Sequence, residues 1–518
     1  MKNNIIILFL VMFVFSFSSC TDDFEEMNTN PSAIVVNTNP ALYMSELFFR
    51  GYTYGDLQTS TNLHHDLYSQ YLSNVQSGFN TTPFYIANDS WLSNRWLRYY
   101  TIYYKLHLKI LETEELSDVN SNAANYSRIY FAWMSANMTD TYGDMPFLTA
   151  SIGENNQKFD KQETIFSEIF NLLTEAEANL VVRDDKFNPG DYDIIYGDEG
   201  DEAPNYWKRF ANSLRLRYAM KMVNASPAKA RTEAEAAMAK ALILDNSQNA
   251  LLSTDYERAG WGSYGNQRWM IENWGRGAHF VMSKSMEKYF QTEATIADPR
   301  QSILFYNVEN NPGVWTGKRN GENSFPSVAD NYSTLSTDYF TSDKRYELFE
   351  AAETYFLLAE AKLRGWNLGE NDATVQELYE KGIRASMEFV GVSTDDANAY
   401  VAALNGLDVF AGTDREAILE KIINQKWVAL FPSGPDGWAE FRRTDYPALY
   451  NIVDPDETYV KKNLFIKRCK YPNNEYDANG ANMPYESVTA ERLDDKVWWD
   501  VEDTNNADGT RKQPNNFR

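Results

Sequence analysis

The sequence predicts a mostly α-helical protein, in which tetratricopeptide-like helix pairs form a scaffold that carries long loops. Three observations lead to this fold class. After about residue 40, apolar residues recur with the i, i+3, i+4, i+7 spacing of one helix face. Residues that begin or end helices stand at the borders of these stretches. The period-two alternation of β-strands is sparse, so we expect sheets to be a minor part of the fold.

The first predicted helices are marked by stripes of large side chains. The stripes consist of Trp96, Tyr99, Tyr100, Tyr103, Tyr104 and Leu108, then of Ile165, Ile169, Leu172, Leu173, Ala176 and Leu180, and then of Trp207, Phe210, Leu214 and Tyr218. Members of one stripe lie on the same side of a helix, so each stripe is expected to face the core. The third helix is expected to end at Asn224 and Pro227.

The later helices are marked by their ends. We predict helices over Pro227 to about Leu242, Glu353 to Leu363, Thr374 to Val390 and Asp414 to Leu430. Gly365, Gly391 and Pro432 follow the last three, as expected of helix-ending residues. Helices of this length joined by short turns predict helical hairpins, although no strict 34-residue repeat is present.

The amino terminus predicts export. Lys2 precedes an uncharged apolar run from Ile5 to Phe17, which is too short to span a bilayer and is typical of a signal peptide over residues 1–19. Cys20 follows Ser18 and Ser19, and this arrangement resembles a bacterial lipoprotein box, with Phe17 at a position that usually holds Leu. We expect Cys20 to be lipidated and 20–39 to be an acidic tether. The alternative is an ordinary signal peptide followed by a chance cysteine.

Composition excludes several functions. The formal charge of −25 argues against binding to nucleic acids or to anionic lipid headgroups. If Cys20 carries lipid, Cys469 has no partner for an intrachain disulfide. Aromatic residues make up 14% of the chain, so we expect some of them to serve a binding surface besides the core. Residues 40–518 are expected to form one domain.

The candidate ligand-binding residues lie mainly in glycine-rich loops. A sugar binds when an aromatic ring lies against its apolar face while amides, acids and arginines bond its hydroxyls. The segment 253–277 contains five glycines and fits no regular period. Its candidates are Trp261, Tyr264, Asn266, Arg268, Trp269 and Trp274. The alternative is a buried structural loop. Further candidates are Trp91, before the first stripe, and Trp315 and Arg319 in the next glycine-rich loop.

Signatures of catalysis and of metal binding are weak. The four histidines form no His-Glu-x-x-His motif, and neither a nucleophile elbow nor a phosphate-binding glycine loop is present. His107 is expected to be a packed residue. The acidic segment 191–202 offers oxygen ligands for calcium, but it does not fit the EF-hand pattern. We expect a solvated acidic loop there, no cofactor and no enzymatic activity.

Several phrases resemble the SusD/RagB nutrient-binding outer-membrane lipoproteins of Bacteroidetes. The first follows the signal peptide, as Cys20-Thr21-Asp22-Asp23-Phe24-Glu25-Glu26 and Asn28-Thr29-Asn30-Pro31. Further matches are Asp140 to Pro146, Trp207 to Arg217, Asp298-Pro299-Arg300, Tyr355 to Ala361, Arg364-Gly365-Trp366, Gln425 to Phe431, Gly437 to Arg443, Tyr471 to Glu475 and Lys496 to Asp500. The resemblance implies a SusD-like α-helical fold over nearly the whole chain.

The resemblance also implies a function. Such proteins face outward from the outer membrane and cover a SusC-like TonB-dependent transporter. We therefore expect a surface lipoprotein that captures an oligosaccharide and delivers it to this transporter without breaking a bond. The alternative of the same transport type is capture of a peptide, which predicts binding to protein digests and indifference to sugars. A surface glycosidase ranks last.

Overall fold

The computed structural model describes residues 39–50, 57–76, 84–117, 122–150, 156–182, 189–253, 280–323, 331–369, 372–502 and 512–517. The first half of the chain contains the helices α1 (Met44–Arg50), α2 (Asp66–Tyr68), α3 (Asp89–Arg98), α4 (Tyr104–Ser117), α5 (Asn122–Tyr142), α6 (Gln162–Asn179), α7 (Ala203–Lys221) and α8 (Pro227–Met238). Helices of the π type span Leu57–His65 and Tyr99–Tyr103.

The second half contains the helices α9 (Lys284–Thr292), α10 (Arg300–Leu304), α11 (Ala351–Leu363), α12 (Val375–Val390), α13 (Thr394–Ala402), α14 (Arg415–Ala429), α15 (Gly434–Thr444) and α16 (Asn473–Asn479). Short 3₁₀ turns lie at Pro40–Tyr43, Gly190–Tyr192, Gly197–Glu202, Asn246–Gln248, Leu407–Ala411 and Gly480–Asn482. The prediction of a mostly helical fold is confirmed.

The described strands are four short segments: β1 (Leu72–Asn74), β2 (Ala250–Leu252), β3 (Phe280–Met282) and β4 (Tyr346–Phe349). They form two antiparallel ribbons, β1 with β3 and β2 with β4. In the first ribbon Leu72 lies opposite Met282 and Asn74 lies opposite Phe280. This ribbon joins residues that are about 200 positions apart in the sequence, and it therefore fixes the course of the loops around it.

Consecutive helices pack on one another in pairs. α5 packs on α6, α7 on α8, and α11 on α12, while α14 lies against both α11 and α12. This arrangement is compatible with the predicted tetratricopeptide-like pairs. The buried side chains form one continuous core, with Trp207, Trp427, Trp438 and Trp499 among its largest fully buried members. Burial of this amount of apolar surface is the main source of stability for such a fold.

Charged side chains bridge the helices inside the core. The Arg443 guanidinium of α15 donates to both carboxylate oxygens of Glu360 in α11, over 2.8 and 2.7 Å. The same guanidinium bonds Glu440, which also accepts from Lys426 of α14 over 2.8 Å. Burial raises the pKa of Glu440, but the charges of Arg443 and Lys426 outweigh burial and lower it to about 2. Each buried charge in this network is therefore paired.

The helix ends follow the sequence closely. Thr374 caps α12, where its hydroxyl accepts from the N–H of Glu377 while the Glu377 carboxylate accepts from the N–H of Thr374. Gly391 ends the same helix with a φ of 99°, a conformation that L-residues with a side chain rarely adopt. Asp414 caps α14. The predicted helix from Pro227 to about Leu242 ends earlier, at Met238.

One predicted core position is wrong. Leu108 is 39% exposed, whereas Trp96, Tyr99, Tyr103 and Tyr104 of the same stripe are buried. The reason is the π-helical segment Tyr99–Tyr103, because a π turn takes one residue more than an α turn and rotates the side chains that follow. His107 occupies the buried position instead.

His107 is a buried, packed residue, as predicted. Its ring stacks on Phe131 with a centroid distance of 4.1 Å and an interplanar angle of 5°. Its Nδ1 lies 2.9 Å from the Ser127 hydroxyl. Burial lowers the pKa of His107 to about 3, and the charge of Arg128 acts in the same direction. The imidazole is therefore neutral at physiological pH.

Candidate ligand-binding face

The β1–β3 ribbon gathers several loops at one surface. The backbone N–H of Lys318 donates to Met282 O of β3 over 2.9 Å, and Ser333 O accepts from the N–H of Met282 over 2.9 Å. The N–H of Asp456 donates to Phe84 O over 2.7 Å, which attaches the segment before α3. The ribbon itself is buried, and we call the surface formed by the described residues 84–91, 315–322 and 448–456 the ribbon face.

Arg319 fastens the segment 448–456 to the ribbon face. Its Nη2 donates to Asn451 O over 2.7 Å, and its guanidinium carbon lies 4.7 Å from the ring centroid of Tyr450. The Lys288 ammonium lies 5.9 Å from the same ring. Two cations near a half-buried tyrosine ring are favourable because the ring face carries partial negative charge. The guanidinium therefore holds Tyr450 in place, and the ring is part of the ribbon face.

Two glycines let the loop around Arg319 approach its neighbours closely. A Cβ atom on Gly317 would lie 2.1 Å from Ser283 O. Gly321 has a φ of 78°, and a Cβ there would lie 2.4 Å from the Ile452 side chain. Between them, the buried Lys318 ammonium donates to Glu322 O over 2.6 Å. This loop is a packed platform whose glycines are required by backbone contact.

Trp91 lies in the first turn of α3. Its backbone N–H donates to the side-chain oxygen of the helix cap Asn88 over 3.3 Å. Its indole is half-buried and meets the His64 ring edge-on at a centroid distance of 6.3 Å. Burial lowers the pKa of His64 to about 4, so the imidazole beside Trp91 is neutral. The stripe that follows Trp91 is core, as predicted, while Trp91 remains accessible in part.

Trp315 occupies a different part of the ribbon face. Its carbonyl accepts from Gln291 Nε2 of α9 over 3.4 Å, and its indole Nε1 lies 3.5 Å from Phe305 O. The half-buried indole thus lies beside the Phe305 carbonyl and the Trp315 backbone contacts α9, whereas the Trp91 ring meets His64. Arg319 belongs to a third group, with Tyr450. The structure places all three predicted residues on segments joined to the ribbon but does not cluster them.

The remaining predicted site residues lie outside the described residues. These are Cys20 and the loop candidates Trp261, Tyr264, Asn266, Arg268, Trp269 and Trp274. The chain re-enters the described part at Phe280, which is paired with Asn74 in the β1–β3 ribbon.

Tyr450 is a candidate that sequence reasoning missed. It follows the predicted helices in a polar stretch without periodicity, and its neighbour Arg319 is more than 130 positions away in the sequence. Gln70 Nε2 also holds this segment, by donating to Tyr450 O over 2.7 Å. The Tyr450-Asn451 pair, an aromatic residue beside an amide, was the available signal.

The acidic segment is partly structural. Asp198, Asp201 and Glu202 are exposed, but Asp193 is buried, so the prediction of a fully solvated loop is wrong there. Asp193 accepts from Trp207 Nε1 over 2.7 Å and from the N–H groups of Ile195 and Tyr196 over 3.0 Å each. Burial raises the pKa of Asp193 to about 6, against the effect of these bonds. Its carboxylate closes the segment onto the core.

One interior cavity in the described part of the chain is too small for a sugar. The cavity lined by Arg95, Trp133, Asn137 and Asp436 has a volume of about 50 Å³. That volume accommodates one or two waters. Among the described residues, no group of three or more His, Cys, Asp or Glu side chains is arranged to hold a metal ion.

The sequence model of a SusD-like family, described as starch-binding and associating with the outer membrane, matches residues 32–472. The chain belongs to the SusD-like family. No helix in the described part of this SusD-like chain is long and apolar enough to cross a membrane. No curated protein matches the chain.

Solved structures of SusD homologues share the fold. A chitin-binding SusD homologue from Flavobacterium johnsoniae is 27% identical, with a TM-score of 0.74 over 90% of this chain and 98% of that chain. A SusD homologue from Parabacteroides distasonis is 25% identical, with a TM-score of 0.73 over 89% and 98% of the two chains. One from Bacteroides uniformis is 23% identical, with a TM-score of 0.75 over 89% and 99%, and shows the fold alone.

Proposed function

We propose that this protein is a cell-surface lipoprotein that captures an oligosaccharide on the ribbon face. It then delivers the sugar to a SusC-like TonB-dependent transporter. The observation that carries the proposal is the similarity to the chitin-binding homologue, which extends over 98% of that protein's chain. The description of the family as starch-binding supports the same class of ligand. A glycan is therefore the first ligand class to test.

The chemistry of the ribbon face suits a sugar. Trp91 and Tyr450 are half-buried rings. His64 contacts the Trp91 ring, and Gln70 bonds the backbone carbonyl of Tyr450, so both rings can stack on a pyranose with little loss of side-chain entropy. The Arg319 guanidinium and the amides of this face supply partners for hydroxyl groups. Trp261, Tyr264, Trp269 and Trp274 are proposed as further rings, with Asn266 and Arg268 as polar partners and Trp315 at the edge.

The proposed location at the cell surface implies a lipid anchor and a transporter partner. Cys20 is the proposed acylation site, and residues 20–39 would separate the lipid from the domain. Several acyl chains at about 0.8 kcal/mol per buried methylene make such an anchor long-lived. Release of the sugar into the transporter requires modest affinity, because a ligand held too tightly would not be passed on. We therefore expect dissociation constants in the micromolar range or weaker.

Catalysis is not part of the proposal. Glycoside hydrolysis requires two carboxyl groups on either side of one glycosidic bond. On the ribbon face, the predicted contacts are aromatic, amide and guanidinium groups, and the family is described by binding. Incubation with a polysaccharide should release no soluble sugar over time. Steady release of product would replace the binding role with that of a surface glycosidase.

A binding panel tests the proposal. The mature chain carrying Cys20→Ser is titrated by calorimetry with N-acetylglucosamine oligomers, with starch oligomers and with peptides from a protein digest. Saturable heat with one glycan class and none with peptides is the expected result. Binding to peptides alone would make the protein a peptide-binding lipoprotein of the same transport type. The absence of heat with a broad glycan panel would contradict glycan capture.

A further inference from the structure

A second cavity lies at the start of two helices, away from the residues of the ribbon face. Its volume is about 370 Å³, and it is lined by Val223, Asn224, Pro227, Ala228, Arg231, Arg364, Trp366, Arg415, Asn516 and Phe517. Pro227 begins α8 and Arg415 begins α14. A cavity of this size accommodates a monosaccharide unit or a comparable small molecule. None of its lining residues belongs to the ribbon face.

The cavity concentrates positive charge in a protein with a formal charge of −25. Its described lining residues include three arginines and no acidic residue. Among the described residues Arg415 has no carboxylate partner, and its guanidinium carbon lies 4.0 Å from the ring centroid of Phe517. Arg364 lies 4.7 Å from the same centroid. Burial lowers the pKa of Arg364, and repulsion from Arg443 and Arg415 adds to this effect against the attraction of Glu360.

The acidic side chains near the cavity already have hydrogen-bond or ion-pair partners. Glu360 is fully buried and bonds both Arg443 and Arg364. Glu416 accepts from the backbone and side-chain nitrogens of Asn516, over 2.9 and 2.7 Å. Glu235 pairs with Arg231 over 2.8 Å, although the side chain of Arg231 remains 55% exposed. These carboxylates bond the walls of the cavity, and among the described residues the Arg415 guanidinium is the one in its lining without a carboxylate partner.

The start of α8 adds to the positive potential, whereas the Asp414 carboxylate already caps the start of α14. The first N–H groups of a helix have no acceptor within the helix, and the helix dipole is positive at that end. α8 has 12 residues and α14 has 15. Ser226, at the cap of α8, makes no side-chain hydrogen bond to the first turn. The start of α8 and guanidinium groups therefore border one volume, a combination that suits an oxyanion.

We propose that this cavity binds the carboxylate or other oxyanion of an acidic saccharide, with Arg415 and Arg231 as the anion contacts and the Trp366 indole as the surface for the sugar ring. The half-buried indole stands in the wall beside Arg364. An aromatic ring next to guanidinium groups matches a sugar that has an apolar face and a negative substituent. The proposal stands independently of glycan capture at the ribbon face.

The test compares probes that separate the anion from the sugar. The mature chain carrying Cys20→Ser is titrated with glucuronate, with glucose and with inorganic phosphate at constant ionic strength. We expect saturable binding of glucuronate, weaker binding of phosphate and none of glucose. Arg415→Gln should weaken glucuronate binding at least tenfold, since it removes a charge-assisted hydrogen bond to the carboxylate. Trp366→Ala should weaken binding of glucuronate but leave that of phosphate unchanged.

The matched control is Arg345→Gln, because Arg345 is also partly exposed but pairs with Asp198 outside the cavity. This variant should bind glucuronate like the parent chain. If Arg415→Gln binds glucuronate as tightly as the parent chain does, the binding is general ionic binding and the proposal is overturned. Phosphate binding without any glucuronate binding would overturn the saccharide part. Trp91→Ala should leave glucuronate binding unchanged, which separates this cavity from the ribbon face.

Discussion

Trp207 connects the core to the acidic segment. Its side chain is fully buried, stacks on Tyr126 at a centroid distance of 4.6 Å, and donates to Asp193 over 2.7 Å. The indole thereby satisfies a carboxylate that burial would otherwise penalise. The residue was predicted as core from its position in a helical stripe. Its bond to Asp193 gives it a second role, in closing the segment 189–202.

Trp207→Ala should lower the free energy of unfolding by about 3–5 kcal/mol, because it opens a large cavity in the core. Urea unfolding followed by circular dichroism measures this change. Trp498→Ala is the matched control: Trp498 is only half-buried, so its truncation should cost clearly less. Equal stability of Trp207→Ala and the parent chain would mean that the core position is wrong.

His107 makes stability depend on pH. Its folded pKa of about 3 lies below the ordinary value of 6.5, so its contribution is complete above pH 6.5 and is lost as the pH falls below that value. At pH 5 the loss is about 2 kcal/mol. His107→Phe retains a ring against Phe131 but cannot take up a proton.

The measurement for His107 is the difference in unfolding free energy between the parent chain and His107→Phe at pH 7 and pH 5. This difference should move by about 2 kcal/mol in favour of the variant at the lower pH. Comparison at each pH removes the contributions of Asp193 and Asp500, whose raised pKa values act in the opposite direction in both proteins. A difference independent of pH would contradict the neutral, buried imidazole.

At the scale of elements, α12 is specified at both ends. Thr374 and Glu377 form the capping box, and Gly391 supplies the left-handed residue at the carboxyl end. Gly391→Ala should therefore destabilise the protein by about 1 kcal/mol through backbone strain, since a Cβ atom there meets no neighbouring atom. Gly480→Ala is the control, because Gly480 also has open space but a φ of −52°.

Thermal unfolding of the two glycine variants distinguishes strain from crowding. Gly480→Ala should leave the melting temperature unchanged or raise it slightly, because alanine restricts the unfolded chain. Gly391→Ala should lower it. Equal melting temperatures for the two variants would show that the left-handed end of α12 is not maintained.

Local signals determined which elements the sequence could predict. α12 and α14 were predicted within one residue at both ends because Thr374, Gly391 and Asp414 act through neighbouring atoms. Leu108 was misplaced because the π-helical segment before it is set by tertiary packing. The contact of Arg319 with Tyr450 was not predictable for a similar reason. It joins two loops that are adjacent only after the β1–β3 ribbon has formed.

At the scale of the molecule, function depends on the place of the protein in the cell. The family associates with the outer membrane, and the described part of the chain contains no membrane-spanning helix. Because Cys20 is the proposed acylation site, Cys20→Ala should move the protein from the membrane fraction to the soluble fraction. Fractionation with metabolic lipid labelling measures this change. Lipid-labelled protein that remains in the membrane fraction of the variant would contradict acylation at Cys20.

The most direct test of the account is a calorimetric titration of the best glycan from the panel into matched tryptophan variants. Trp91→Ala and Trp261→Ala should each weaken binding about tenfold or more, since stacking of a ring contributes on the order of 1–3 kcal/mol. Trp498→Ala, outside the ribbon face, should bind like the parent chain. Unchanged affinity in Trp91→Ala and in Trp261→Ala, with melting temperatures also unchanged, would contradict the proposed glycan capture.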